Sequence, residues 1–350
     1  MPQRTDRTYA EVSLSALKNN IRFYKNACDK KIIAVCKAFS YGHGMISPFL
    51  EEYVDAFAVA TAEEGVRLRL AGVEKPVLVL GYVSDDDLFR AAFHRLTLSL
   101  FDVQTALRQE EILRQNDVTL SAHLKINTGM NRLGLSPSDL TRFPQLPHVR
   151  ITGIFSHYAV SKKEDEVFFR RQTDVFLSAI SVARARGFSF DFIHLSSSGN
   201  ALFSPVGNAV RIGYGMYGYG DPILTPALSW YARVVQTHTL SPGETVGYDR
   251  TFRTSRPTLL AVLSVGYGDG FPRERSNVGH VLYNGQRLPV VGRVCMDMLF
   301  IDGTGTDIRP GKYVTLLGKN STDVLTPSDL GFDYETLCRI SSRVPRYIVD

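Results

Sequence analysis

A lysine at the end of an apolar run is the first residue in this sequence that could do chemistry. Residues 32–36 are apolar (IIAVC), Lys37 follows them, and a polar, glycine-rich loop that contains Tyr41 comes next. A continuous apolar run of this length is typical of a strand buried on both faces in a parallel sheet. The lysine amine either caps that strand or forms a Schiff base with a carbonyl compound such as pyridoxal phosphate (PLP).

A Schiff-base site for PLP also needs a phosphate cradle, a partner for the pyridine nitrogen, and an acid or base over the reacting carbon. Residues 196–198 are three serines that precede Gly199, and a second glycine-rich segment lies at 213–215. Hydroxyl groups and free backbone amides bind phosphate well. Serine and glycine clusters also occur in ordinary loops and helix caps, so these residues are candidates only in combination with Lys37.

Short apolar runs alternate with helix-like segments between residues 32 and 218. The runs are IIAVCK (32–37), AFAVAT (56–61), PVLVLG (76–81), LTLSLF (96–101), AHLKIN (122–127), ITGIFSH (151–157), FDFIHLSS (190–197) and VRIGYGMYG (210–218). Strands that alternate with helices form βαβ units, and eight such units close a (β/α)₈ TIM barrel. Barrel enzymes hold their catalytic groups at the C-terminal strand ends. Polar residues occupy those positions here: Lys37, Thr61, Asn127, His157 and Ser197.

The sequence pattern changes near residue 225. Helical periodicity disappears, and short β-rich runs with turn signals such as Asn284-Gly285 take its place. We therefore predict two domains, an α/β barrel over residues 8–225 and a mainly antiparallel β domain over residues 226–350. We also expect the first few residues of the chain to pack on the β domain.

The composition excludes several classes of protein. The chain has 350 residues, of which 44% are hydrophobic, and this is enough for two well-buried cores. The formal net charge of +5 is spread without long basic runs, so we expect small anionic ligands and no nucleic acid. Neither a secretory signal nor an apolar stretch of about 18 residues is present, so we expect no membrane segment in this chain. Scattered cysteines predict free thiols in the cytoplasm and no metal site (Cys28, Cys36, Cys295 and Cys338).

Residues 32–44 resemble the PLP-lysine segment of the alanine racemase family, whose usual form is AVVKANAYGHG. Eight further blocks resemble blocks of that family and follow in the family's order. They are HLKINTGMNRLG (123–134), GIFSHYA (153–159), HLSSSGNALF (194–203), RIGYGMYG (211–218), VGYDRTF (246–252), SVGYGDGFPR (264–273), VVGRVCMDM (290–298) and ISSRVPR (340–346). The resemblance implies a PLP-dependent racemase that interconverts L- and D-alanine. It also implies a head-to-tail homodimer in which each β domain completes the active site of the partner.

The resemblance assigns the cofactor-binding residues position by position. Lys37 matches the lysine that bonds PLP, Arg211 the arginine that faces the pyridine nitrogen, and His157 the histidine between that arginine and a catalytic tyrosine. Arg132 matches the residue that bonds the ring oxygen of the cofactor and also lies beside the substrate. The remaining matches are to phosphate-binding residues: Tyr41, Ser197, Ser198, Gly213 and Tyr214.

A second set of matches lies in the predicted β domain. Tyr248 matches the catalytic tyrosine that the opposite subunit contributes, and Arg273 matches a residue of the entrance channel. Lys125, in the barrel, matches a lysine that can be carbamylated. The matched substrate-binding residues of the β domain are Tyr267, Met296, Asp297 and Ser342.

The chemistry of racemisation suits this set of residues. The α-proton must leave one face of the substrate and return on the other, and two bases on opposite faces, Lys37 and Tyr248, do this without either one moving across. An arginine at the pyridine nitrogen disfavours its protonation, because two positive charges would lie together. The ring then withdraws electrons less strongly, which suppresses side reactions such as transamination.

Other interpretations of these residues remain open at the level of sequence. A PLP decarboxylase on the same barrel would have an acidic residue in place of Arg211, and single-domain PLP-binding barrels lack a β domain and therefore a counterpart of Tyr248. Each residue also has a purely structural interpretation. Tyr248 could be a packing aromatic in a sheet, His157 a hydrogen-bonded core histidine, and Arg211 a salt-bridged strand residue.

Three positions depart from the family pattern. Phe39-Ser40 replaces Asn-Ala after the lysine, and Asn127 stands where an aspartate is common. Ser342 stands where alanine racemases have a tyrosine that narrows the substrate pocket. A wider, more polar pocket admits a substrate with an added hydroxyl. The alternative function is therefore a serine or broad-specificity racemase.

Overall fold

The computed structural model describes residues 5–350. The chain forms two compact units. The first unit contains Ala16–Ser40 and Met45–Thr225, and the second contains, of the described residues, 5–15, Tyr41–Gly44 and Pro226–Asp350. No helix among the described residues is long and apolar enough to cross a membrane.

The chain begins with a strand and an amphipathic helix that belong to different units. Strand β1 (Thr8–Ser13) lies in the second unit, although the predicted barrel domain of residues 8–225 included it. Helix α1 (Leu14–Cys28) buries Leu17, Ile21 and Tyr24, whose spacing places them on one helical face.

Eight parallel strands form the closed barrel of the first unit, as the sequence predicts. Their order around the barrel is the order of the chain, and the last strand pairs with the first through Ile33 and Arg211. The strands are β2 (Lys31–Val35), β3 (Ala56–Val59), β4 (Val77–Val79), β5 (Thr97–Leu100), β6 (Leu120–Lys125), β7 (Val149–Phe155), β8 (Phe192–Ser197) and β9 (Ala209–Ile212).

Helices connect the barrel strands, and side-chain caps fix where most of them begin. Thr61, Ser84, Asp102 and Asp165 each accept a hydrogen bond from a backbone N–H of the first helical turn. The helical segments are α2 (Lys37–Tyr41), α3 (Ala62–Leu70), α4 (Asp85–Phe93), α5 (Val103–Gln115), α6 (Pro137–Thr141) and α7 (Glu166–Ala185).

The second unit is built on a sheet of nine strands in the described chain, antiparallel except for one pair, and this confirms the predicted β domain. Strand β10 (Leu228–Leu240) pairs with β1 and carries Trp230, whose buried ring lies 6.3 Å from that of Phe271. The further strands of the unit are β11 (Thr245–Val246), β12 (Phe252–Arg253), β13 (Thr258–Leu263), β14 (His280–Tyr283), β15 (Gln286–Pro289), β16 (Leu299–Asp302), β17 (Tyr313–Asn320), β18 (Asp323–Leu325) and β19 (Arg346–Val349).

Two short helices, α8 (Pro327–Leu330) and α9 (Asp333–Arg339), interrupt the β structure of this unit. The sequence analysis missed them, because segments of four and seven residues are too short to show helical periodicity.

Candidate active site

The chain turns left-handed directly after Lys37. The backbone φ angles of Ala38–Tyr41 lie between 51° and 54°, although none of these residues is glycine. A left-handed conformation costs roughly 1–2 kcal/mol per non-glycine residue, and it persists only where the surroundings hold it. Glu64 is one such support, since its carboxylate accepts hydrogen bonds from the N–H groups of Ala38 and Ala60, both at 2.7 Å. The strain makes the segment after Lys37 a candidate functional element.

Arg211 is a buried cation inside the barrel. Its Nη1 atom donates to His194 Nδ1 at 2.5 Å, and its Nη2 atom donates to His157 Nδ1 at 3.0 Å and to the Ser156 carbonyl at 2.7 Å. No carboxylate pairs with it within residues 5–350, and burial, together with the charge of Arg132, lowers its pKa to about 9. A buried positive charge without a counter-ion favours an anionic or electron-rich ligand beside it.

The histidines around Arg211 are neutral, and their tautomers follow from the arginine. A guanidinium can only donate, so the Nδ1 atoms of His157 and His194 carry no proton and each ring holds its proton on Nε2. His194 Nε2–H then donates to His123 Nδ1 at 3.0 Å. Burial and the charge of Arg211 lower the pKa of His123 and His157 to about 3 and that of His194 well below its usual value. His157 therefore offers an N–H donor at neutral pH.

Four cations act on His157. Its lowered pKa reflects burial first and then the charges of Arg211, Arg132, Lys37 and Lys125. Burial and the charges of Arg132, Arg211 and Lys37 likewise lower the pKa of Lys125 to about 8. Lys125 Nζ also donates to the Leu80 carbonyl at 3.2 Å. This end of the barrel is thus strongly electropositive and suits a ligand with several negative charges.

The ends of β8 and β9 supply a cradle for a phosphate group. Ser198 Oγ accepts hydrogen bonds from the N–H groups of Gly213 at 3.0 Å and Gly215 at 3.2 Å. Ser196 Oγ is buried and has no hydrogen-bond partner among the described residues. A side chain added at Gly199 would meet open space. The Ser198 hydroxyl and the Gly213 and Gly215 amides converge at this place, and groups of this kind fit the phosphate of PLP.

Comparison with known proteins decides the family. The N-terminal domain model of alanine racemase matches residues 12–221, and the C-terminal domain model matches residues 227–348. The chain belongs to the alanine racemase family. The alanine racemase of Cutibacterium acnes is 35% identical over the full length of both chains. That of Carboxydothermus hydrogenoformans is 34% identical over 97% of this chain and 99% of the relative.

Solved structures of the family agree with the fold. The alanine racemase of Bacillus anthracis with bound L-Ala-P superposes with a TM-score of 0.93 at 29% identity, covering 99% of this chain and 96% of that one. The alanine racemase of Bartonella henselae with covalently bound pyridoxal phosphate gives 0.85 at 26% identity, covering 98% and 100%. The resemblance drawn from the sequence is confirmed, and the chain is a PLP-dependent isomerase.

The second unit holds the other residues matched to alanine racemases. Tyr248 is 68% exposed, and its hydroxyl makes no hydrogen bond within residues 5–350. Tyr267 and Met296 are exposed and lie on two loops that the backbone joins, since Tyr267 N–H donates to the Cys295 carbonyl at 3.0 Å and Gly268 N–H donates to the Met296 carbonyl at 2.9 Å. The structure brings these two predicted substrate residues together.

The remaining matched residues lie in both units. Asp297 and Ser342 are exposed in the second unit, and Arg273 begins a 3₁₀ turn there. Tyr41 also belongs to that unit, where its buried ring lies 6.2 Å from the ring of Tyr334. In the barrel unit, Arg132 is exposed, Ser197 pairs through its backbone with Arg211, and the ring of Tyr214 stacks on that of Tyr219.

Two polar residues at strand ends have structural roles that differ from the prediction. Thr61 forms the capping box of α3 with Glu64, so its hydroxyl serves the helix rather than a ligand. Asn127 Oδ1 accepts hydrogen bonds from the N–H groups of Gly129 and Asn131, both at 3.1 Å, so it organises its own loop.

The sequence analysis missed His123, His194 and Glu64. Both histidines are buried in the middle of a barrel strand, between apolar neighbours, and a polar residue at such a position is a signal that could have marked them. Glu64 is the third residue of a helix, and its spacing from Thr61 predicts a capping box, but nothing in the sequence predicts its hydrogen bond to the N–H group of Ala38.

Proposed function

We propose that this chain interconverts L- and D-alanine with Lys37 and Tyr248 as bases on opposite faces of the substrate. The observation that supports this proposal most strongly is the environment of Arg211. This buried cation has no carboxylate partner in the described chain and is held by the neutral rings of His157 and His194. A decarboxylase or transaminase would need an acid at that place. The names of the relatives and of the solved structures also favour alanine.

The residues that would hold PLP are Lys37 covalently, Arg211 at the pyridine nitrogen, and a phosphate cradle built from Ser198 and Gly213. Tyr41, Arg132, His157, Ser197 and Tyr214 would complete the set. When bound, PLP withdraws electrons from the α-carbon and makes its proton acidic.

In the proposed mechanism the amine of Lys37 removes or returns the α-proton on one face. The hydroxyl of Tyr248 does the same on the other face, so at each turnover one of the two groups starts as a base and the other as an acid. Arg211 stays protonated throughout, because nothing beside it can take its proton: its neighbours are neutral histidines and backbone carbonyls. His157 keeps its Nε2–H and therefore acts as a donor and not as a base.

We further propose that two copies of the chain form a head-to-tail dimer. Tyr248 lies in the second unit and the other proposed base lies in the barrel unit, and the exposed Tyr248 side chain is free to meet a second copy. Twofold pairing would complete two sites at once. The four free cysteines are consistent with a reducing, cytoplasmic location for that dimer.

Subunit mixing tests both the two bases and the dimer. Lys37→Ala and Tyr248→Phe should each abolish racemisation of alanine, measured by chiral chromatography. When the two inactive variants are unfolded together and refolded, about a quarter of the wild-type activity should return, because half of the dimers are mixed and each has one intact site. No recovery, with both variants folded and dimeric, would overturn a site shared between subunits.

The serine or broad-specificity alternative is a second hypothesis that rests on Ser342. This residue is small and exposed where the family pattern has a tyrosine. Comparable kcat/KM values for L-alanine and L-serine would support the alternative. Preference for alanine by more than about a hundredfold would exclude it, because a pocket that rejects one added hydroxyl so strongly must be narrow or must place a clash there.

A further inference from the structure

A buried carboxylate joins separate segments of the second unit. Asp269 has no solvent exposure, and its Oδ2 atom accepts the Gly266 N–H at 3.0 Å. Its Oδ1 atom accepts from Arg343 Nε at 2.8 Å, and Arg7 donates to both oxygens, with Nη1 3.1 Å from Oδ2. Arg343 continues through Nη2 to Asp297 Oδ1 at 2.7 Å. We call Arg7, Asp269, Arg343 and Asp297 the aspartate cluster.

The loops around this cluster approach closely. A Cβ atom at Gly266 would lie 2.3 Å from the Cys295 carbonyl oxygen, and one at Gly268 would lie 2.6 Å from Arg343 Nη2. Neither glycine has a positive φ angle. At Gly266 the neighbouring atoms belong to the backbone, so lack of space is what requires glycine there, whereas a side chain at Gly268 would displace the end of Arg343.

The cluster holds the residues assigned to the substrate. Tyr267 precedes Asp269 by two positions, Ser342 is adjacent to Arg343, and Asp297 is bonded to Arg343 directly. Met296 is linked to the segment of Tyr267, because its carbonyl accepts a hydrogen bond from the Gly268 N–H. All four of these substrate residues are exposed, so burial of apolar surface does not fix their positions. Backbone hydrogen bonds join these segments, and the side chains of Asp269 and Arg343 add the charged links between them.

We propose that Asp269 and Arg343 are positioning residues for substrate binding: they set the relative placement of Tyr267, Met296, Asp297 and Ser342. This inference rests on the proposed function, since those four residues must bind the amino acid for their placement to matter. Arg7 serves as the second counter-charge, because its side chain donates to Asp269 and the Ser264 carbonyl and makes no hydrogen bond to the Met296 or Ser342 segment among the described residues.

Arg7 and Arg343 make a matched pair for the experiment. Their side chains are exposed to similar extents, 39% and 41%, and each removes one guanidinium from Asp269 when replaced. Only Arg343 also reaches Asp297. Arg7→Gln and Arg343→Gln therefore each remove one positive charge from beside the Asp269 carboxylate. Only Arg343→Gln also breaks the side-chain link from Asp269 to Asp297.

The test measures alanine kinetics, affinity for an alanine phosphonate, cofactor absorbance and Tm for both variants. Arg343→Gln should raise KM and weaken binding of the phosphonate by about ten- to a hundredfold, because displaced substrate residues lose contacts with the ligand. The value of kcat should stay within about threefold of wild type. Arg7→Gln should lower Tm by a similar amount and leave KM within about twofold. Arg343→Lys should recover Tm but not KM, since a lysine cannot bridge two carboxylates. Cofactor absorbance should stay unchanged in all three.

Equal effects of Arg7→Gln and Arg343→Gln on KM and on analogue affinity would overturn the inference, because they would show that the cluster supplies only charge balance. An unchanged KM in a folded Arg343→Gln enzyme would overturn it as well. If the wild-type enzyme does not racemise alanine, the proposed function fails instead. The phosphonate titration then still compares the two variants, and equal affinities would overturn the inference on that measurement alone.

Discussion

Arg211 donates from Nη2 to the Nδ1 atom of His157 at 3.0 Å, and no carboxylate lies beside the arginine within residues 5–350. The arginine fixes the tautomer of the histidine, and the histidine stays neutral in turn. In the proposed function this positive charge would lie at the pyridine nitrogen of PLP and would disfavour protonation of that nitrogen.

Replacing Arg211 by glutamate should convert part of the racemase into a transaminase. Arg211→Glu supplies a carboxylate that favours protonation of the pyridine nitrogen, so we expect racemisation to fall by at least about a hundredfold and transfer of the amino group to the cofactor to rise. Chiral chromatography measures the first rate, and pyruvate formation from alanine measures the second. An Arg211→Glu enzyme that loses both reactions while retaining cofactor would contradict this role.

The buried histidines should make stability depend on pH in the acidic range. Burial lowers the pKa of His123 and His157 to about 3, below the 6.5 of the unfolded chain, so the unfolded state binds more protons between these values. The contribution of these histidines to the free energy of unfolding is therefore complete above about pH 6.5. It is lost as the pH drops toward 3, by on the order of a few kcal/mol. Urea titrations at several pH values check this.

A pair of variants serves as control for the pH dependence. His123→Asn keeps an acceptor for His194 Nε2–H and removes one buried titrating group, so the slope of stability against pH should decrease. His280→Asn changes an exposed histidine and should leave the slope as it is. The same slope in His123→Asn and wild type would show that other groups cause the acid sensitivity.

Lys125 should react with carbon dioxide. Carbamylation requires a neutral amine, and burial together with nearby cations lowers the pKa of Lys125 to about 8. We expect isotope-labelled bicarbonate to give a carbamate signal by NMR that grows as the pH rises through 8, and that is absent in Lys125→Ala. Lys162→Ala, which changes a lysine outside this group of cations, should retain the signal. A signal that persists in Lys125→Ala would assign it to another lysine.

Position 342 should control substrate preference. Ser342→Tyr introduces the ring that alanine racemases have there, so we expect kcat/KM for L-serine to fall relative to L-alanine by about ten- to a hundredfold. Ser342→Ala leaves the space open and should keep the wild-type ratio within about threefold. Parallel chiral assays of both substrates measure these ratios. The same ratio in the tyrosine variant and wild type would exclude position 342 as a determinant.

The left-handed turn after Lys37 predicts that a glycine stabilises the protein. Ala38 is exposed with a φ angle of 51°, so Ala38→Gly should raise the free energy of unfolding by roughly 0.5–1 kcal/mol, the relief of strain exceeding the entropy cost. Ser178→Gly, at an exposed position in the middle of the right-handed helix α7, should instead lower it by roughly 0.5 kcal/mol. Urea denaturation measures both, and destabilisation by Ala38→Gly would show that the turn carries little strain.

The barrel could be predicted from the sequence because its signals are local: apolar runs marked all eight strands. A polar residue at the end of a run marked Lys37 and His157 as candidates. The proposed roles of Arg211 and Tyr248 came from the family blocks, because neither residue type nor spacing could supply them alone.

What the sequence did not show depends on residues that meet only in the folded chain. The left-handed turn runs against the preferences of Ala38 and Phe39, so propensity points away from it. Asp269 and Arg343 are 74 positions apart, and each has an ordinary sequence environment. The pairing of His123 with His194 likewise requires the barrel to close before the two rings can meet.

Strand β1 is synthesised well before the two strands with which it pairs. It lies between β10 and β19, and both of these follow the barrel in the chain. A ribosome adding roughly 5–20 residues per second leaves β1 unpaired for on the order of ten seconds or more. The barrel has all its strands by then and can fold first. The nine-stranded sheet of the second unit is complete only after β19 has been synthesised, and until then the unpaired edge of β1 is a site for aggregation of the nascent chain.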